Sequence, residues 1–154
     1  KKDLYLSVLD QCFEKGRIEM GFDALLEHRG FFEAKAEFSA IKFDYYRANP
    51  DLYKVLREAF WAPPDEVKAA IEEKYGALIA GKDKAWEQLF ETVPLKEGVN
   101  RGQAFQLIML VLDHCDDKYL AELTADGDLD ETHFESFLDE RNRFLAMIRY
   151  GIEE

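Results

Sequence analysis

Apolar residues recur along the chain at intervals of three and four, and no segment alternates as a half-buried strand does. The rhythm predicts an all-α, single-domain bundle of about six helices occupying residues 1–154. A first helix from about Asp3 to about Phe22 carries Tyr5, Val8, Leu9, Cys12 and Phe13 on one face. A second, from about Gly30 to Arg47, carries Phe31, Ala34, Phe38, Ile41 and Tyr45 as one stripe. Asn49-Pro50-Asp51 ends it, because a residue before proline avoids the helical region, and opens a short helix with Leu52, Val55, Leu56 and Phe60 inward. Asn49 is a candidate cap for that next helix.

Ala62-Pro63-Pro64 makes the next break, and a long helix starts at Pro64-Asp65-Glu66. Its stripe is Val67, Ile71, Tyr75, Leu78, Ile79, Trp86, Leu89 and Phe90. Gly76 and Gly81 lie inside it, each costing about 1 kcal/mol relative to Ala, so a bend or a close helix approach is expected there. A helix from about Asn100 to Leu123 is apolar around most of its circumference between Ala104 and Leu112, and needs cover on two faces. The last helix, from about Glu131 to Ile152, carries Phe134, Phe137, Leu138, Phe144, Leu145 and Ile148.

Charge narrows the functional classes. The net charge is −12, so these residues have no evident surface for nucleic acid, whose binding depends on Lys and Arg displacing counterions. Anionic membranes are disfavoured for the same reason. From Asp113 to Glu140 eleven acids face one base, Lys118, and read as solvated loop and helix flanks. Asp126, Asp128 and Asp130 open like a calcium loop, but Glu131 stands where the sharp turn needs glycine and Phe137 where the bidentate Glu belongs.

Catalytic constellations are thin. His28, His114 and His133 share no ligand spacing, and there is no glycine-rich phosphate loop or nucleophile elbow. No enzyme, metal or cofactor is expected. Cys12 and Cys115 stand far apart with no paired spacing, and the longest apolar run, Leu107 to Leu112, is too short for a bilayer. A reduced, cytoplasmic protein with core cysteines is the expectation.

The aromatic inventory carries most functional content. Phe13, Phe38, Tyr45, Phe60 and Trp61 lie on or beside the inward stripes of the first three helices. Tyr75, Trp86, Phe90, Phe105 and Met109 do so on the next two. Together they are candidate linings of an interhelical cavity for a small apolar or aromatic, uncharged or weakly cationic ligand.

Read in order, the segments resemble the TetR family of transcriptional regulators. Lys1-Lys2-Asp3-Leu4-Tyr5 with Val8-Leu9 is similar to the helix that follows the family's DNA-binding domain. Asn49-Pro50-Asp51-Leu52-Tyr53 resembles a phrase between that family's fifth and sixth helices, and the helix after Pro63-Pro64 its seventh. The last two helices resemble the pair that builds the family's four-helix dimer interface.

The resemblance implies a homodimer through 104–117 and 134–152, with Leu110, Phe134, Leu138 and Leu145 at the interface. It implies a small-molecule effector inside each bundle, and DNA contact only through an N-terminal helix-turn-helix domain that this sequence does not contain. A stand-alone helical module docking a partner protein shares the composition, but needs an exposed apolar groove in place of a cavity.

Overall fold

Gly21, with φ +55°, stops the first helix at Met20, two residues before the end near Phe22 that periodicity implies, since a left-handed residue just past a helix end favours glycine. In the computed structural model, residues 2–21, 30–126 and 131–154 are described. They form six helices: α1 (Lys2–Met20), α2 (Phe31–Ala48), α3 (Pro50–Trp61), α4 (Asp65–Phe90), α5 (Arg101–Asp126) and α6 (Glu131–Ile152). The all-α expectation holds. Among the described residues no helix is long and apolar enough to cross a membrane.

The ends are fixed by local chemistry. Asn49 donates from its backbone N–H and from Nδ2 to the Tyr45 carbonyl, so its side chain closes α2 and does not cap α3 as expected. Asn100 Oδ1 accepts the Gln103 N–H at 3.0 Å and opens α5. Arg101 donates to the Phe90 and Val93 carbonyls at 2.7 and 3.0 Å, serving the C-terminal end of α4. Residues 94–96 are pinned to the end of α6 by the Leu95–Glu153 bridge and by Lys96 N–H donating to the Ile152 carbonyl at 2.8 Å.

Three apolar clusters form the core. One joins Phe31 and Phe32 of α2 to Trp86 and Phe90 of α4, Ile108 and Leu112 of α5, and Leu145 of α6. A second joins Phe43, Tyr53, Cys115, Tyr119, Phe134 and Phe137, with Tyr119 stacked on Phe137 at 4.2 Å. A third joins Leu9 of α1 to Leu56, Ala59, Val67, Ile71 and Tyr75. Asp10 ties α1 to α4 through Lys74 and Tyr75, both donating to its carboxylate. The two cysteines are free, Cys115 buried and Cys12 half-buried.

Helix α2 carries residues of every cluster and buries Phe31, Phe32, Ala34, Lys35, Ser39, Phe43 and Tyr45, which at about 100° per residue spread over about half of its circumference. The single stripe expected for it understates its cover. On α1, Val8 is exposed although periodicity put it on the inner face.

Helix α4 departs further. Its two ends are buried in different clusters, but residues 77–84 between them are exposed, Leu78 and Ile79 included. A Cβ at Gly76 would meet only Glu72 Cγ at 4.0 Å, and one at Gly81 would meet nothing within 4 Å. The expected close helix approach is absent there; α4 runs unbroken over a gap.

Candidate ligand cleft

That gap is the mouth of a cleft of about 340 Å³ between α2, α4, α5 and α6. Four of the sequence-predicted ligand residues line it: Phe38, Trp86, Phe105 and Met109. Phe90 lies behind them, its ring 5.5 Å from Phe105 and 4.9 Å from Phe31. The others gather elsewhere. Phe13, Phe60 and Tyr75 form an aromatic triad in the α1–α3–α4 cluster, with centroids 4.9–6.1 Å apart. Tyr45 is buried against Tyr46, outside the cleft. The side chain of Trp61 falls outside the described residues, as do His28 and the acidic turn at 127–130.

Sequence reasoning missed the polar half of this site. Lys35, Ser39 and Lys42 project from α2, and Lys82 and Asp83 from α4. Leu112, Asp113 and Asp116 come from α5, and Arg141 from α6. A signal existed on α2, where positions 35, 39 and 42 form a polar line along a helix otherwise packed with aromatics. Asp116 corrects the reading of 113–140 as solvated acids, because its carboxylate is enclosed.

The floor of the cleft is electrostatically ordered. Asp116 accepts from Lys42 Nζ through one oxygen and from Arg141 Nε through the other, each at 2.8 Å. Burial raises the pKa of Asp116, but the charges and hydrogen bonds of Lys42 and Arg141 outweigh it and hold the carboxyl below its ordinary value. Arg141 is 2% exposed, and its Nη1 is buried with no hydrogen-bond partner.

Lys35, 6% exposed, has no carboxylate within ion-pair distance among the described residues. Its ammonium lies 3.3 Å from Met109 Sδ and 4.1 Å from the centroid of the Trp86 ring. Burial first, and then Lys42, Arg141 and Lys82, push its pKa down to about 7, with Asp113 opposing from a distance. Ser39 Oγ donates to the Lys35 carbonyl at 3.0 Å, so its proton is used within α2. Lys82, Asp83 and Asp113 are exposed and ring the mouth. Burial raises Asp113, and Asp116 adds to it.

The wall of the cleft is apolar and aromatic, and its floor carries Lys35, Lys42 and Arg141 against one enclosed carboxylate, Asp116. Among the described residues no group of three His, Cys, Asp or Glu is arranged to hold a metal. Comparison with family models, curated proteins and solved structures finds no match.

The four interface candidates separate as well. Leu110 is 69% exposed, whereas Phe134 and Leu145 are buried in their own protomer and Leu138 is half-buried beside Phe137. The contacts of Asp116 with Arg141 and of Tyr119 with Phe137 set α5 and α6 antiparallel. On the side of this pair bridged by Lys118 and Glu140, Leu107 and Leu110 stand beside Phe144 and Met147, all exposed. The cleft opens on the opposite side of α5, through Phe105, Met109, Asp113 and Asp116.

Proposed function

We propose that this chain is the effector-binding and dimerisation domain of a TetR-like transcriptional regulator, in which a small molecule in the cleft controls DNA binding by an N-terminal head. The observation that carries the reading is the cleft of about 340 Å³ within an all-helical bundle, open at its mouth and at the lower end of the usual range for ligand pockets. The order of helices and the phrases at Lys1–Tyr5 and Asn49–Tyr53 support the family. The exposed strip Leu107, Leu110, Phe144 and Met147 supports self-association, because a second copy of the same antiparallel pair offers a matching apolar surface.

A chain of contacts runs from the cleft to α1. Lys82 and Trp86 contact the ligand space from α4, and one helical stretch earlier Lys74 and Tyr75 hold Asp10 of α1. A ligand that displaces the Lys82–Trp86 turn therefore pulls on α1, the helix resembling the family's connection to DNA. It shifts the equilibrium only to the extent that it binds one arrangement better. A tenfold effect on DNA affinity needs about 1.4 kcal/mol, within the ordinary coupling range.

The test is molar mass in solution by light scattering, near about 1 µM protein, where a stable dimer with roughly 2,000 Å² of buried area should persist. The chain is expected at twice its 17.9 kDa mass. Leu110→Glu with Met147→Glu is expected to give a folded monomer, since both side chains are 69% exposed in the protomer. Leu145→Glu is unsuitable, because it would damage the protomer core. A wild-type monomer would remove the dimerisation reading and favour an interaction module that uses this strip for another protein.

A further inference from the structure

The geometry points to an anionic effector: an apolar or aromatic carboxylic acid whose ring lies against Trp86, Phe38 and Phe105 and whose carboxylate is held by Lys35 and Arg141. The inference rests on the cleft being a ligand site and names the chemistry of what enters it.

The argument is one of unfinished pairing. Buried charges are ordinarily paired, and buried donors are ordinarily satisfied. Of the groups on the floor, Lys42 and Arg141 Nε share the one enclosed carboxylate, Asp116. That leaves Arg141 Nη1 buried without an acceptor. It leaves Lys35 with a thioether and two aromatic faces for neighbours. Counting Lys35 as charged, three floor cations face one floor anion. A ligand carboxylate supplies two acceptor oxygens and one negative charge to these donors.

The remaining wall is apolar, with Phe38, Trp86, Phe105, Met109 and Leu112, so a bare inorganic anion would leave most of the space unfilled. The charged groups facing Lys35 from all four helices are Lys42, Lys82, Asp83, Asp113, Asp116 and Arg141. The two exposed acids at the mouth act against an incoming anion, so recognition depends on contacts made at the floor. Because Lys35 is depressed to about 7, it is mostly neutral at slightly alkaline pH, and a bound carboxylate would restore its proton.

Calorimetric titration of the whole chain with 2-naphthoate, 2-naphthalenemethanol, 2-naphthylmethylamine and acetate tests this. At a pH of about 8 the naphthoate should bind roughly tenfold to a hundredfold tighter than the alcohol, as expected for charge-assisted hydrogen bonds, with the amine weakest. Repeating the titration in two buffers of different ionisation enthalpy should show nearly one proton taken up with the naphthoate and none with the alcohol. Lys35→Met should abolish the uptake and lower the preference while the alcohol still binds. Arg141→Gln should lower the preference without removing the uptake.

Equal or tighter binding of the alcohol overturns the anionic effector and leaves the cleft as a neutral-ligand site. Acetate binding as tightly as naphthoate overturns the apolar acid in favour of a small-anion site. No binding of any of the three naphthalene probes, with nuclear magnetic resonance shifts at Trp86 and Met109 unmoved, overturns the ligand site itself.

Discussion

Replacing Lys35 by methionine should make the protein more stable, and most of all at low pH. Methionine keeps the unbranched stem that lies over Trp86 and removes the ammonium. In the folded chain that ammonium has its pKa lowered from 10.5 to about 7, by burial first and then by the neighbouring cations. The depression corresponds to about 5 kcal/mol against the charged form. Contact with the Trp86 face, at 4.1 Å, returns up to about 2 kcal/mol, so desolvation wins. The unfolded chain keeps this proton up to its ordinary value, while the folded chain releases it near 7. Between those values the unfolded state binds more protons, so the wild type gains stability as pH rises. The variant lacks that rise. Urea unfolding at fixed protein concentration, near pH 6, about 8 and about 10, should show a variant advantage of roughly 3 kcal/mol that closes toward the alkaline end. A gap independent of pH, or a less stable variant near pH 6, refutes the unpaired, buried ammonium.

Asp116→Asn preserves shape but strips Lys42 and Arg141 of their shared counter-ion, and should cost about 3–5 kcal/mol in the same unfolding assay. Since the carboxyl of Asp116 is held below its ordinary 3.8, its contribution is present above that pH and is lost as acidification passes the folded value; the wild-type advantage over Asn should shrink there. Gly81→Ala should raise stability by about 1 kcal/mol, because α4 is helical at this position and the added methyl meets nothing within 4 Å. A loss of stability there would mean that α4 is not an exposed helix at that turn.

The helices were legible because burial along them is periodic. Val67, Ile71, Tyr75, Trp86 and Phe90 are all buried, as their spacing on α4 requires. Leu78 and Ile79 obey the same spacing yet face solvent, because periodicity identifies a face but not whether a neighbour covers it. The division of the aromatic set has a similar cause. Phe13, Phe60 and Tyr75 point inward just as Phe38 and Trp86 do, and only the packing of α1 and α3 against one half of α4 assigns them to a different cluster. Asp116 and Arg141 were illegible for another reason. A charged residue reads as solvated unless its partner is known, and the Asp116–Arg141 partnership joins different helices 25 positions apart.

The position of α2 also affects how the chain comes into being. Its aromatic surface is sealed on one side by α6, and Arg149 of α6 pairs with Glu33 of α2 from 116 positions further along. A ribosome adding roughly 5–20 residues per second needs about 6–23 s to cover that distance. Until α6 emerges, Phe32 lacks the Arg149 guanidinium that lies over it and Phe43 lacks Phe137, whereas Phe31 packs on Trp86 and Phe90 of α4 and Phe105 of α5. Synthesis therefore passes through a half-built bundle with part of the aromatic surface of α2 uncovered, a state open to non-native association until α6 is in place.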